Sequence, residues 1–152
     1  MTRVCLGLLS SLLLTHPTLA AQPGFYAQFV GGTLPGLAAK STARLDLSDN
    51  DALLLLGSKI EIRIEYNKVN SIEYGQNVSR RYAAAVLISP LFLLSKSRKH
   101  FVTLGYSDTE GKQQALVFRV GKGDIRSVLA SLEARTGRRV EYQDDDARKG
   151  NR

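Results

Sequence analysis

Lys59-Ile60-Glu61-Ile62-Arg63-Ile64-Glu65-Tyr66 decides the fold class. Apolar and charged residues alternate without a break, so in an extended chain the isoleucines and the tyrosine share one face and the charges take the other. A helical period would scatter both sets around the axis. The stretch predicts a strand with one buried face, and Asn67-Lys68 predicts a turn out of it. Residues 71–78 alternate again, with Ile72, Tyr74 and Val78 on one side.

Upstream, residues 44–48 and 52–56 are short strand-like runs around Ser48-Asp49-Asn50-Asp51, whose side chains favour turns, so they predict a hairpin. Residues 25–33 alternate loosely up to Gly31-Gly32 and suggest an edge strand, and residues 34–41, with Pro35 and Gly36, suggest a loop. Downstream, residues 101–106 alternate through Val102, Leu104 and Tyr106. Asp108-Thr109-Glu110-Gly111 turns the chain, and Leu116, Phe118 and Val120 mark a return strand from about Gln113. The period then changes. Ile125, Val128, Leu129 and Leu132 fall at i, i+3, i+4 and i+7, the stripe of an amphipathic helix. Asp124 stands where a carboxylate can cap free N–H groups, and Gly137 follows the last turn. Residues 138–142 continue briefly, and residues 144–152, charged and without large apolar side chains, suggest a disordered tail.

The expected fold is mainly β, of α+β type: a small barrel or sandwich of about seven antiparallel strands, with one C-terminal helix capping its open end. The residues Arg44-Leu45-Asp46-Leu47, the run 52–56, the strand-turn-strand from Ile64 to Gly75 and the closing helix resemble a pleckstrin-homology-like (PH-like) domain, in the broad sense that includes bacterial and GRAM-type relatives. The resemblance covers roughly residues 25–142. It implies a PH-like β-barrel serving as a non-enzymatic binding module, and it carries over no ligand-binding residue.

The chain has 152 residues, 43% hydrophobic and 23% charged, which suits one ordinary globular domain and excludes a collagen-like or disulfide-stapled chain. Residues 1–20 combine Arg3, an apolar stretch over 4–14 and the small-residue end Thr18-Leu19-Ala20, the three-part layout of a secretory signal peptide. Eleven apolar residues make a helix of roughly 16 Å, too short for a hydrocarbon core of about 30 Å. Cleavage is expected near Ala20, giving an exported protein, periplasmic or secreted. Cys5 precedes the apolar stretch, so it is not a lipoprotein cysteine. Loss of residues 1–20 removes Cys5, His16 and Arg3, leaving 20 basic against 14 acidic residues, a net charge of +6, with His100 the sole histidine. A chain without thiols carries no disulfide or Cys-based zinc site, and one histidine makes no His-pair metal centre.

One segment breaks the strand pattern. Residues 82–94, Tyr-Ala-Ala-Ala-Val-Leu-Ile-Ser-Pro-Leu-Phe-Leu-Leu, carry no charge and interrupt what would be a plain hairpin. Arg80 and Arg81 stand before them; Lys96, Arg98, Lys99 and His100 stand after. As a helix the thirteen residues span about 20 Å, short of a bilayer, and Pro90 removes a donor from the second half. Two readings follow. In the first, the insert 80–100 projects, with Tyr82, Leu87, Ile88, Leu91, Phe92 and Leu93 entering a lipid interface or a partner's groove. Arg80, Arg81, Lys96, Arg98 and Lys99 then meet anionic groups, at about 1 kcal/mol per cation near an anionic membrane. In the second, the insert packs as core, each large side chain contributing roughly 1.5–3 kcal/mol, and a partner adds a strand along an exposed sheet edge. The partners expected are an anionic membrane surface or another envelope protein.

Other patterns imply less. Gly121-Lys122-Gly123 lacks the spacing and the Lys-Ser/Thr end of a phosphate loop and predicts a strand-to-helix turn. Asp144-Asp145-Asp146 lacks the spaced ligands of a calcium loop. Asn77-Val78-Ser79 matches a glycosylation acceptor by pattern alone. The positive charges are dispersed and come without an aromatic stacking series, which argues against nucleic acid. Glu61 and Glu65 fall on the exposed side of their strand, and a catalytic triad has only His100 to build on, so no enzyme and no cofactor are expected.

Overall fold

The computed structural model describes residues 24–33, 40–76, 99–143 and 148. Residues 1–20 and the tail apart from Arg148 lie outside them, as do Asn77, Val78 and Ser79. Among the described residues, eight strands and one helix follow in the order β1 (Phe25–Gly32), β2 (Thr42–Asp46), β3 (Ala52–Leu56), β4 (Glu61–Glu65), β5 (Val69–Gly75), β6 (His100–Ser107), β7 (Gln113–Val120), α1 (Ile125–Thr136) and β8 (Val140–Tyr142). A single 3-10 turn, Tyr66–Lys68, joins β4 to β5 where Asn67-Lys68 predicts a turn. The fold is mainly β, as the alternating patterns require.

The strands form one sheet in the order β4-β3-β2-β1-β7-β6-β5-β8. Neighbours β1 to β7 pair antiparallel, whereas β8 runs parallel to β5, with Ile72 opposite Val140 and Tyr74 opposite Tyr142. Two expectations change here. The sheet is continuous and not closed, ending in β4 and β8, because the turn after β4 redirects the chain without pairing β4 to β5. An eighth strand, too short to show a period, adds the parallel pair.

A third change concerns β1, which lies at the centre of the sheet between β2 and β7 and not at its edge. The glycines that suggest an edge serve a close approach instead. The register shifts between Phe29 and Gly31, and a Cβ on Gly32 would stand 2.9 Å from the Ala115 carbonyl oxygen.

The inner face carries Leu45, Leu53, Ile72, Tyr74, Leu104 and Phe118 among its buried side chains, and Ile125, Val128, Leu129 and Leu132 of α1 join the same cluster. The predicted helical stripe is thus the set of helix residues that the core buries. Asp124 differs from expectation: it occupies the N-cap position in helical backbone and makes no side-chain cap bond. The first turn is tied instead by the Asp124 and Ile125 N–H groups, which both donate to the Gly121 carbonyl at 3.1 Å. Gly137 closes the helix in left-handed conformation, φ 67°, donating its N–H to the Glu133 carbonyl.

Arg135, in the last turn, fastens the helix to the β2–β3 hairpin. Its Nη1 donates to the Asp49 carbonyl at 2.6 Å and to Asn50 Oδ1 at 3.0 Å, its Nη2 donates to the Ser48 carbonyl at 3.3 Å, and its guanidinium lies 5.7 Å from the centroid of the buried Tyr66 ring. The hairpin turn is braced by its own carboxylates. Asp46 accepts from the Ser48 N–H and Asp49 from the Asp51 and Ala52 N–H groups.

A second buried set lies outside that cluster. Val30, Phe101, Thr103, Ala115 and Val117 are each at most 3% exposed, so β6 is buried on both faces, and the charged Glu73 is 4% exposed. The sequence pattern puts Val102, Leu104 and Tyr106 on one face of β6, and the structure buries the opposite face as well.

Two substitutions rank the contributions. Leu129→Ala empties a fully buried helix position and is expected to cost about 2–5 kcal/mol. Gly137→Ala forces a Cβ into left-handed backbone and is expected to cost about 1–2 kcal/mol. Urea unfolding followed by circular dichroism checks both, and equal costs would contradict the weight given to the helix stripe.

Candidate functional site

The insert leaves the sheet at one place. Strands β5 and β6 pair as far as Gly75 opposite Phe101, and the described residues stop at Gln76 on one side and resume at Lys99 on the other. Arg80, Arg81, Tyr82, Leu87, Ile88, Leu91, Phe92, Leu93, Lys96 and Arg98 lie outside the described residues. Lys99 is described, half-buried at the entry to β6. The structure therefore brings only one of the eleven predicted contact residues into view, at the root of the segment.

That root is an aromatic cluster. Tyr74 is fully buried, and its hydroxyl lies 2.6 Å from His100 Nδ1 with the two rings nearly parallel at 6.0 Å. Tyr142 of β8 meets Tyr74 edge-on at 5.9 Å, and the Gln143 N–H donates to the Tyr74 carbonyl at 3.0 Å. Burial lowers the His100 pKa, and the positive charge of Lys122 lowers it further. The neutral ring is favoured, and its Nδ1 can accept the phenol proton. His100 is the first residue of β6, and its Nδ1 is engaged with the buried Tyr74.

A groove of about 200 Å³ opens elsewhere, between β4 and the β6–β7 turn. Ile62, Ile64 and Tyr106 form its apolar wall; Arg63, Glu65, Lys68 and Asp108 stand around it. Tyr106 is 5% exposed and its hydroxyl has no hydrogen-bond partner among the described residues. Burial pushes that phenol up to about 12, with the negative charge of Asp108 adding to the effect. Asp108 itself is held below the usual carboxylate range, chiefly by the Gln114 side chain, which donates from Nε2 at 2.7 Å, and by the Lys112 and Glu110 N–H groups. In the sequence Tyr106 reads only as one more apolar strand residue. The signal available there is that it is a tyrosine rather than a phenylalanine, placed at the open end of its strand.

A shallower depression, about 330 Å³, lies over β1, β2 and the β3–β4 turn beside Tyr26, Arg44 and Gly57. Tyr26 is 75% exposed and is the exposed large hydrophobic side chain among the described residues. No group of three or more potential metal ligands occurs among the described residues. No described helix is long and apolar enough to cross a membrane.

Two of the shifted groups, His100 and Tyr106, give opposite pH limbs. His100 is neutral in the fold and more basic when unfolded, so its contribution is complete above the ordinary value of 6.5 and is lost as pH falls below it. Tyr106 ionises near 10 when unfolded and near 12 when folded, so stability falls as pH rises through that interval. Urea midpoints measured across pH should show both limbs, with His100→Gln flattening the acid limb just below 6.5 and Tyr106→Phe the alkaline one. An unchanged pH profile in either variant would remove that group from the account. No family model matches the chain, and no curated protein matches it.

Proposed function

We propose that this protein is an exported, non-enzymatic binding or assembly module of PH-like type. A mainly antiparallel sheet with one helix on its inner face supports that reading, as does a single mature-chain histidine engaged with Tyr74. The observation that carries the proposal is the rooting of the insert. The described chain stops at Gln76 after β5 and resumes at Lys99 before the neighbouring β6, beside the buried Tyr74 and the half-buried His100 and Tyr142, and the sequence between holds thirteen uncharged residues with cationic flanks. A segment of this composition tethered at both ends suits contact with a surface, its apolar side chains entering the interface and Arg80, Arg81, Lys96, Arg98 and Lys99 meeting anionic groups.

A specific observation favours a second reading, a structural protein-interaction domain in which the insert is part of the core. Val30, Phe101, Thr103 and Val117 are buried away from the main core cluster, on strands next to the root. An apolar segment of the insert's size and composition suits the cover such a patch needs.

Flotation of the purified protein with anionic and with neutral liposomes, beside a variant carrying Leu91→Ser, Phe92→Ser and Leu93→Ser, separates the two. The membrane-contact reading expects flotation with anionic lipid only, lost in a variant that still unfolds cooperatively near the wild-type midpoint. The core reading expects no flotation and a variant destabilised by several kcal/mol, at about 2–5 for each truncated core side chain. A wild-type protein that ignores lipid, paired with a variant of undiminished stability, overturns both.

A further inference from the structure

Strand β4 ends the sheet, and among the described residues nothing pairs with its outer side. Which backbone groups that side offers follows from the ladder with β3. The Gly57 N–H donates to the Ile60 carbonyl at 2.8 Å at one end, and the Tyr66 N–H donates to the Asp51 carbonyl at 2.9 Å at the other. Bonding pairs alternate along an antiparallel ladder, so Ile62 and Ile64 also turn their backbone groups toward β3. Glu61, Arg63 and Glu65 are left with N–H and C=O pointing out of the sheet. The side chains of these three are exposed, and Ile60 and Ile62, on the other face, are only half-buried.

Charged side chains on an edge strand usually repel further pairing. Here their order makes the edge complementary to itself. A second β4 laid antiparallel about a twofold axis at Ile62 places Glu61 opposite Arg63 of the other copy, and Arg63 opposite its Glu61. Ile62 faces Ile62, Ile60 faces Ile64, and Lys59 of the turn falls toward Glu65. The same register sets the outward backbone groups of Glu61 and Arg63 against each other as bonding pairs. Arg63 already reaches Asp49 at 3.3 Å, but that pair is solvent-exposed on both sides, the kind that contributes little and yields readily to a better partner.

We propose that the outer edge of β4 is a self-association surface, on which a second copy of this chain adds its own β4 antiparallel, centred on Ile62. The contact is isologous, so one patch serves both copies and closes as a dimer. It also places the half-buried Ile62 against its counterpart and the half-buried Ile60 beside Ile64 of the other copy, where one copy alone leaves them partly open to water. This surface is independent of the insert and of its reading as a lipid or partner contact.

Sedimentation equilibrium of the purified protein tests the proposal by charge exchange. Wild type is expected to dimerise reversibly. Glu61→Arg places arginine against arginine in both cross-strand pairs and Arg63→Glu places glutamate against glutamate, so each variant alone should weaken self-association about tenfold or more. An equimolar mixture of the two variants pairs arginine with glutamate at both positions and should form a heterodimer that neither forms alone. Circular dichroism melting identifies a variant that has lost the fold, and the mixture remains the deciding arm because folding defects do not cancel on mixing. A wild-type protein that stays monomeric up to about 100 μM overturns the proposal. So does a dimer that both single variants leave intact, or a mixture of folded variants that stays monomeric.

Discussion

Twelve residues of helix must shelter the inner face of a sheet eight strands wide, and much of the architecture follows from that mismatch. The stripe Ile125, Val128, Leu129 and Leu132 can cover such a face only if the sheet coils around it, as a right-handed twist allows. Arg135 then holds the last turn of the helix against the β2–β3 hairpin and over Tyr66. Hairpin and helix lie about 85 residues apart in sequence at this contact, so the clamp ties the first half of the sheet to the end of the chain. Remove the stripe, and neither the twist nor the clamp has anything to close on.

The two halves of the sheet are buried differently. Strands β2 to β4 alternate between buried and open positions, as one-sided strands do, whereas β6 is buried along both faces. The two-sided half is also the half that bears the insert, the parallel strand β8 and the cluster of Tyr74, His100 and Tyr142. The one-sided half ends in the β4 edge and the groove below Tyr106. A division of labour follows from these positions. One end of the sheet borders the residues that flank the insert, and the other presents, among the described residues, a backbone edge with no strand partner and a phenol with no hydrogen-bond partner.

Electrostatics is sparing inside this fold. The ion pair of Arg63 with Asp49 is solvent-exposed. The carboxylates of Asp46, Asp49 and Asp108 instead bind N–H groups of their own turns, where a short acidic side chain replaces a backbone acceptor.

Local period and turn chemistry are legible in the amino-acid order alone. Ile60 to Tyr66, the return strand ending at Val120, the stripe of α1 and the Gly137 cap are all visible there, because burial of one face imposes a repeat of two or of 3.6 on neighbouring residues. Only the tertiary structure decided which strands lie beside which. Gly31-Gly32 looks like an edge signal until Ala115 is found pressed against it, residues 140–142 are too few to show a period, and nothing local marks β6 as buried on both faces. The groove belongs to the same class: Ile62 and Tyr106 stand 44 positions apart, and their meeting depends on how far the sheet curls before it stops. Local sequence encodes the faces of an element, whereas adjacency is set by the packing of all elements at once.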